Sequence, residues 1–159
     1  MQKEFFDAVE RNDANGLKEL ISGKSIYDIK DDFGYYLLHH SISRGLDPIS
    51  EILIHHGVKL DARDKKVGQT ALHYVAFYGN LKVAQLLLDK GADLGVEDNY
   101  GNRPLWTAVF NDKGFGHRLD IICLFSEHGA DINHRNKAGK SALDFATSAG
   151  YVQVIALLK

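Results

Sequence analysis

The sequence predicts an all-α solenoid of about five helix-turn-helix units joined by β-hairpin-like fingers. Three observations carry that expectation. Glycines recur at matching places, Gly34, Gly68, Gly101 and Gly139, at spacings of 34, 33 and 38 residues. Self-similarity with a period of roughly 20–50 residues is the signature of stacked repeats. The opening Gly68-Gln-Thr-Ala-Leu-His73 and the closing Leu86-Leu-Leu-Asp-Lys-Gly-Ala-Asp93 return along the chain in variant form. Between them, the apolar residues form stripes too wide for one helix to bury, so neighbouring units must cover them.

The units follow in order. Residues 1–33 keep only an apolar pattern, with Phe5, Phe6, Ala8, Val9, Leu17, Leu20 and Ile21, and read as an N-terminal capping unit. Residues 34–67 form the first internal repeat and end in Ile54-His-His-Gly-Val-Lys-Leu60. Residues 68–100 are the clearest copy. A first helix spans about 71–78, Gly79-Asn80 breaks it, and a second spans about 81–90 before Gly91, a glycine just past a helix C-terminus. Its second helix carries Leu81, Val83, Ala84, Leu86, Leu87 and Leu88, and polar Gly95–Tyr100 extends as a finger towards the next unit. Residues 101–138 repeat the plan with about five extra residues, most economically placed at Asp112-Lys-Gly-Phe-Gly-His117, between the two helices. Residues 139–159 close the array with Val152, Val154, Ile155, Leu157 and Leu158 and have no further finger, as expected of a C-terminal capping unit. The whole is expected to be one domain over 1–159.

Composition narrows the function classes. A net charge of −2 leaves no strongly basic character to mark a nucleic-acid partner. No apolar run approaches the ~20 residues that span a bilayer, and Met1-Gln-Lys-Glu-Phe-Phe-Asp7 turns polar too early for a signal peptide. Cys123 stands alone, so no intrachain disulfide framework exists and a reducing cytoplasm is the expected location.

Thr70-Ala-Leu-His73 and Arg103-Pro-Leu-Trp106 are variants of a Thr-Pro-Leu-His signature. Leu88-Asp-Lys-Gly-Ala-Asp-Leu94, Ser126-Glu-His-Gly-Ala-Asp-Ile-Asn133 and Ile54–Leu60 share one helix exit. In these motifs the units resemble ankyrin repeats, strongly over 34–159 and weakly over 1–33. The resemblance implies that His39 and His73 hold the turn by hydrogen bonds, with Trp106 and Asp144 standing in their place in the last two units. Trp106 then reads as a core residue. It also implies a concave face built from fingers and first helices, on which a partner protein docks.

Carried onto this sequence, that face places Phe33, Lys65, Lys66, Asn99 and Tyr100 on finger tips and Tyr35 just after a signature glycine. Phe77, Tyr78, Phe110 and Asn111 fall at the ends of first helices. Six of these are aromatic, and aromatic side chains concentrate in interface hot spots; the alternative is packing between a first helix and its finger. Phe115, between two glycines of the insertion, is either a further partner contact or part of a loop extension that costs little closure entropy. Asp31 and Asp32 at one end and Lys65, Lys66 and Lys137 beyond are either a steering gradient or solvated tips.

Metal and catalytic readings find little support. Neighbouring histidines on a helix, His39-His40 and His55-His56, diverge by ~100° and rarely chelate, and a site would need histidines from different units plus a Cys or carboxylate at tetrahedral spacing. His55, His56 and His128 instead suit helix C-termini. Gly91-Ala-Asp and Gly129-Ala-Asp are repeat punctuation, not phosphate loops, and Cys123 lacks an activating partner. No metal, cofactor or enzymatic activity is expected.

The expected function is therefore a non-enzymatic protein-binding module, monomeric, with no nucleic-acid or membrane partner. The segment Asn99–Gly114 resembles the corresponding unit of small stand-alone bacterial ankyrin proteins, a group that includes immunity proteins. That implies inhibition of a cognate bacterial toxin or enzyme by occlusion. A host-directed adaptor or effector and a self-associating structural module are the alternatives.

Overall fold

A computed structural model describes residues 2–159. Among them are ten α-helices, arranged as five pairs: α1 (Gln2–Glu10) and α2 (Ala14–Ile21), α3 (Leu37–Ser43) and α4 (Asp47–His55), α5 (Ala71–Tyr78) and α6 (Leu81–Asp89), α7 (Pro104–Asp112) and α8 (Leu119–Glu127), α9 (Ala142–Ala149) and α10 (Val152–Leu157). The first helices α1, α3, α5, α7 and α9 pack side by side in one row, and the second helices α2, α4, α6, α8 and α10 form a parallel row behind them. Each helix is too short to be stable alone in water. Stability therefore comes from the core between the rows, where Leu17, Leu37, Ile42, Ile49, Leu53, Leu72, Leu87, Ile122 and Phe125 are fully buried.

The stripe on α6 is narrower than the sequence suggests. Val83, Ala84 and Leu87 are buried, whereas Leu86 and Leu88 are partly covered and Leu81 is exposed. In α10, Val154 and the following Leu158 are buried, but Val152 and Leu157 face outward.

The fingers contain no strands among the described residues. Each is a tight turn, with a single isolated antiparallel bridge between Lys30 and Tyr36. One side chain per finger organises the turn. Asp64 is 4% exposed and accepts N–H groups from Lys66 (2.8 Å), Val67 (2.7 Å) and Gln69 (2.9 Å). Asp31, Asp98 and Asn136 do the same work in their own fingers. An Asp or Asn side chain satisfies donors that a tight turn leaves unpaired, which is why it substitutes for a strand ladder here.

Successive fingers are joined edge to edge. The Asn99 N–H donates to the Val67 carbonyl (2.8 Å), and the Lys137 N–H donates to the Tyr100 carbonyl (3.0 Å). His73, completely buried, works in both directions. Its Nδ1 accepts the Thr70 N–H (3.1 Å) at the start of α5, and its Nε2 donates to the Asn102 carbonyl of the next finger (3.0 Å). His39 repeats the first of these bonds with the Tyr36 N–H (3.2 Å). In the last unit Asp144 takes over: its carboxylate accepts the Ser141 N–H (3.1 Å), completing a capping box.

Candidate partner-binding face

The fingers and the row of first helices share one face, since Tyr74, Phe77 and Tyr78 of α5 line a hollow together with Lys66, Val67 and Gln69 of the adjoining finger. The expected aromatics all lie exposed or half-buried in the array, but they divide into separate groups.

The first group gathers around α3 and α5. Phe77 and Tyr78 are each 48% exposed, and their rings meet edge-on at 4.9 Å. Tyr78 faces Tyr74 at 6.3 Å, and Tyr74 stacks on the buried His39 imidazole at 4.6 Å. Tyr35 meets His40 edge-on at 6.1 Å. His40 Nε2 lies 2.9 Å from Asp31 Oδ2, and the Asp31 carboxylate also accepts the Phe33 and Tyr35 N–H groups. Two adjoining hollows result. The larger, of ≈ 260 Å³, is lined by Tyr35, His39, His40, Ser43, Tyr74 and Tyr78. The smaller, of ≈ 190 Å³, shares the three tyrosines and opens towards Lys66.

The second group belongs to α7 and the last unit. Phe110, half-exposed, stacks on Trp106 at 5.1 Å and meets Phe145 at 5.3 Å; Phe145 in turn meets Tyr151. Trp106 is thus not enclosed in the core as the sequence suggests. It is half-buried against it, and its Nε1 is covered without a hydrogen-bond partner among the described residues. Its ring stacks on Phe110 and meets Phe145 at 5.4 Å.

The remaining positions stand apart. Phe33 and Tyr100 occupy finger tips at 75% and 65% exposure, and Lys65 and Lys66 are exposed beside them. Asn99 is exposed, but its side chain serves the array, accepting from Arg63 (2.9 Å) and reaching the Lys66 carbonyl. Asn111 donates to the Thr107 carbonyl of its own helix (2.8 Å). Lys137 Nζ donates to the Asn99 carbonyl (2.8 Å), and the Asp31 carboxylate accepts the Tyr35 N–H (2.9 Å) within its own turn.

The insertion is a built loop. Asp112 is 1% exposed, and its carboxylate accepts the Gly116 N–H (3.1 Å) and the Arg118 N–H (2.8 Å). The Arg118 guanidinium then crosses to the previous unit and donates to the Ala76 (3.2 Å) and Phe77 (2.8 Å) carbonyls at the end of α5. Cations at a helix C-terminus satisfy carbonyls left unpaired there and suit the dipole. The clamp also explains Gly79, whose backbone is left-handed (φ 83°) and where an added Cβ would stand 2.7 Å from Arg118 Nη1. Phe115 is held between these anchors and remains 72% exposed.

Other titratable groups have structural work. His55 and His128 each donate from Nδ1 to a carbonyl four residues back (2.8 Å), at the ends of α4 and α8. His134 Nε2 reaches the Gly101 carbonyl (2.9 Å). Cys123 contacts Glu127, whose hydrogen bond and charge push the thiol pKa up and away from nucleophilic character. No helix among the described residues is long and apolar enough to cross a membrane.

Sequence reasoning missed three participants. Tyr74 contributes to both hollows, yet its neighbour His73 carries the repeat signal and masks it. Arg118 and the turn-organising role of the Asp31/Asp64/Asp98/Asn136 set were also missed; that set recurs three or four residues before each signature glycine and was readable as a repeat feature.

Comparison with known proteins agrees with this architecture. A family model described as ankyrin repeats (3 copies) matches residues 5–98 and 65–136, and one described as ankyrin repeats (many copies) matches 115–158. Among similar curated proteins, an ankyrin repeat protein of Rickettsia felis is 30% identical over 119 residues, covering 72% of this chain and 52% of that protein. An ankyrin repeat protein of Acanthamoeba polyphaga mimivirus is 24% identical over 150 residues, 94% of this chain and 19% of the relative. A protein of Xenopus laevis named inhibitor of Bruton tyrosine kinase is 41% identical over 78 residues, 48% of this chain and 6% of the relative. The chain thus spans about half the length of the Rickettsia protein and far less of the other two.

Proposed function

The chain belongs to the ankyrin-repeat family, and from that premise we propose that it is a non-enzymatic module docking a partner protein on the face shared by its fingers and first helices. Ankyrin repeats mediate protein–protein interactions. The observation that carries the assignment to this face is the display of Phe77, Tyr78, Tyr100 and Phe110 at 46–65% exposure on a rigid array. Such rings bring large apolar area to an interface with little entropy left to lose. Phe115, on a loop pinned by Asp112 and Arg118, extends the same surface past the ends of the helices.

The narrower reading is an immunity protein that occludes the active site of a cognate bacterial toxin. It is supported by the resemblance of Asn99–Gly114 to small bacterial ankyrin proteins and by a bacterial relative. A relative named as a kinase inhibitor is consistent with inhibition as a use of such repeats. A host-directed adaptor is the second reading, favoured by the viral relative.

The test compares wild type with the Tyr78→Ala, Tyr100→Ala double variant as immobilised baits in lysate of the source organism. Both side chains are half-exposed or more, so the array stays folded, while hot-spot losses of ~2 kcal/mol or more each remove a partner held by this face. A partner captured equally by both baits shows that the face is misassigned. If a captured enzyme keeps full activity when saturated with the protein, occlusion is wrong and the adaptor reading stands.

A further inference from the structure

The larger hollow on this face has the walls of a cation site. Its lining is almost entirely ring: Tyr35, Tyr74 and Tyr78 with the imidazoles of His39 and His40, and Ser43 at its edge. We propose that this hollow receives the guanidinium group of an arginine side chain presented by the partner protein. This assignment presupposes the docking face described above and specifies what anchors to it.

Aromatic faces carry the negative part of a ring's quadrupole and attract cations, most strongly where water is displaced. Fixed charges agree. Asp31 contacts His40, which lines the hollow, and Asp64 lines the adjoining one. Burial alone would raise the Asp31 pKa, but N–H donation from Tyr35 and the His40 contact outweigh it and hold the carboxyl below its ordinary value. Burial, reinforced by the negative charges of Asp64 and Asp31, pushes the Tyr74 phenol well above its ordinary pKa, so Tyr74 remains a neutral ring. An anionic ligand would meet the same field with the opposite sign.

Lys66 lines the smaller hollow and not the larger, whose lining holds no lysine or arginine. His39 is buried, its pKa lowered to about 4, and so carries no charge at neutral pH. His40 directs Nε2 at Asp31. The Ser43 hydroxyl donates to the His40 carbonyl (3.0 Å), which leaves its oxygen to accept from an incoming N–H. Arginine suits these walls better than lysine, since a planar, weakly hydrated guanidinium stacks on rings while its edge donates hydrogen bonds.

The probe is Nα-acetyl-arginine amide, with Nα-acetyl-citrulline amide as its uncharged counterpart of nearly the same shape. Each is titrated into the full chain at pH 7.5, with tyrosine ring resonances followed by NMR. The ring signals of Tyr35, Tyr74 and Tyr78 should shift saturably with arginine amide, with half-saturation on the order of 10 mM for one stacked cation. Citrulline amide should bind at least tenfold more weakly, and the Tyr100 ring should not respond. A Tyr74→Leu variant that retains wild-type helical circular dichroism should lose the response. Equal shifts with citrulline amide, no saturation, or an unaffected Tyr74→Leu variant would each overturn the arginine site. The two assignments fail separately. A partner lost with the Tyr78/Tyr100 double variant but no response to arginine amide removes only the cation site. A saturable arginine response with indifferent capture removes the docking face and, with it, the partner as the source of the arginine.

Discussion

His39 and His73 stand at equivalent places in consecutive units, 2% and 0% exposed, and each uses Nδ1 to accept a backbone N–H at the start of its helix. A proton on that nitrogen would face the donor it now accepts from. Burial lowers the His39 pKa from 6.5 to about 4, against the upward pull of Asp64, and burial lowers that of His73 in the same direction despite its bond to the Asn102 carbonyl. The sign follows from linkage. Both folded-state pKa values lie below that of an unfolded histidine, so below pH 6.5 the unfolded chain binds more protons and gains stability relative to the fold. The full contribution is present above pH ~6.5 and is lost as pH falls towards 4. A 2.5-unit depression at 1.36 kcal/mol per unit amounts to about 3 kcal/mol for His39 alone, a large part of the ~5–15 kcal/mol of a typical domain. Asp31 and Asp144, whose pKa values are lowered, withdraw stability only below the usual carboxylate range, outside this window. Urea unfolding followed by circular dichroism at pH 7.5, 6.5, 5.5 and 4.5 measures the effect. The wild type should lose about 3 kcal/mol or more across the series, and His39→Leu, less stable at pH 7.5, should show a visibly shallower dependence. Wild-type stability constant to within about 0.5 kcal/mol from pH 7.5 to 4.5 would refute the buried neutral imidazoles.

Leu87→Ala should cost roughly 2–5 kcal/mol in the same unfolding assay through the cavity left between the helix rows, whereas Leu86→Ala, at a partly covered position, should cost clearly less. Arg118→Ala removes two charge-assisted bonds from the end of α5 and should lower stability by about 1–2 kcal/mol, the partial exposure of the guanidinium reducing the full value. Hydrogen exchange should then quicken at Gly79 and Asn80 more than elsewhere. Phe115→Ala should leave the unfolding midpoint unchanged, because the ring is 72% exposed, and should weaken capture of a partner that reaches the insertion.

What could be read from the sequence was local. The predicted helix at 71–78 coincides with α5 and the one at 81–90 runs one residue past α6, because glycines and apolar spacing act within a few residues of themselves. The insertion fell where the period required it. Contacts made across units were not legible. The reach of Arg118 to Phe77 and of His73 to Asn102 spans 41 and 29 residues, and depends on how tightly one unit stacks on the next. Leu86 could not be told from Leu87 for the same reason: both belong to the apolar stripe, and the packing of one helix row on the other encloses only Leu87. Tyr74, in turn, was hidden because the repeat signature marks its neighbour His73 and says nothing of which side chains meet in space.

The Arg118 clamp has a bearing on how this array can be taken apart. Repeat proteins are commonly treated as interchangeable blocks, each cut at its finger and spliced into another stack. Here the third and fourth blocks share a part: the guanidinium that finishes α5 is supplied by the loop after α7, and Gly79 leaves the space it occupies. A chimera cut at the finger between them would carry a helix without its terminus in one half and a stranded cation in the other. The natural unit of exchange is the pair.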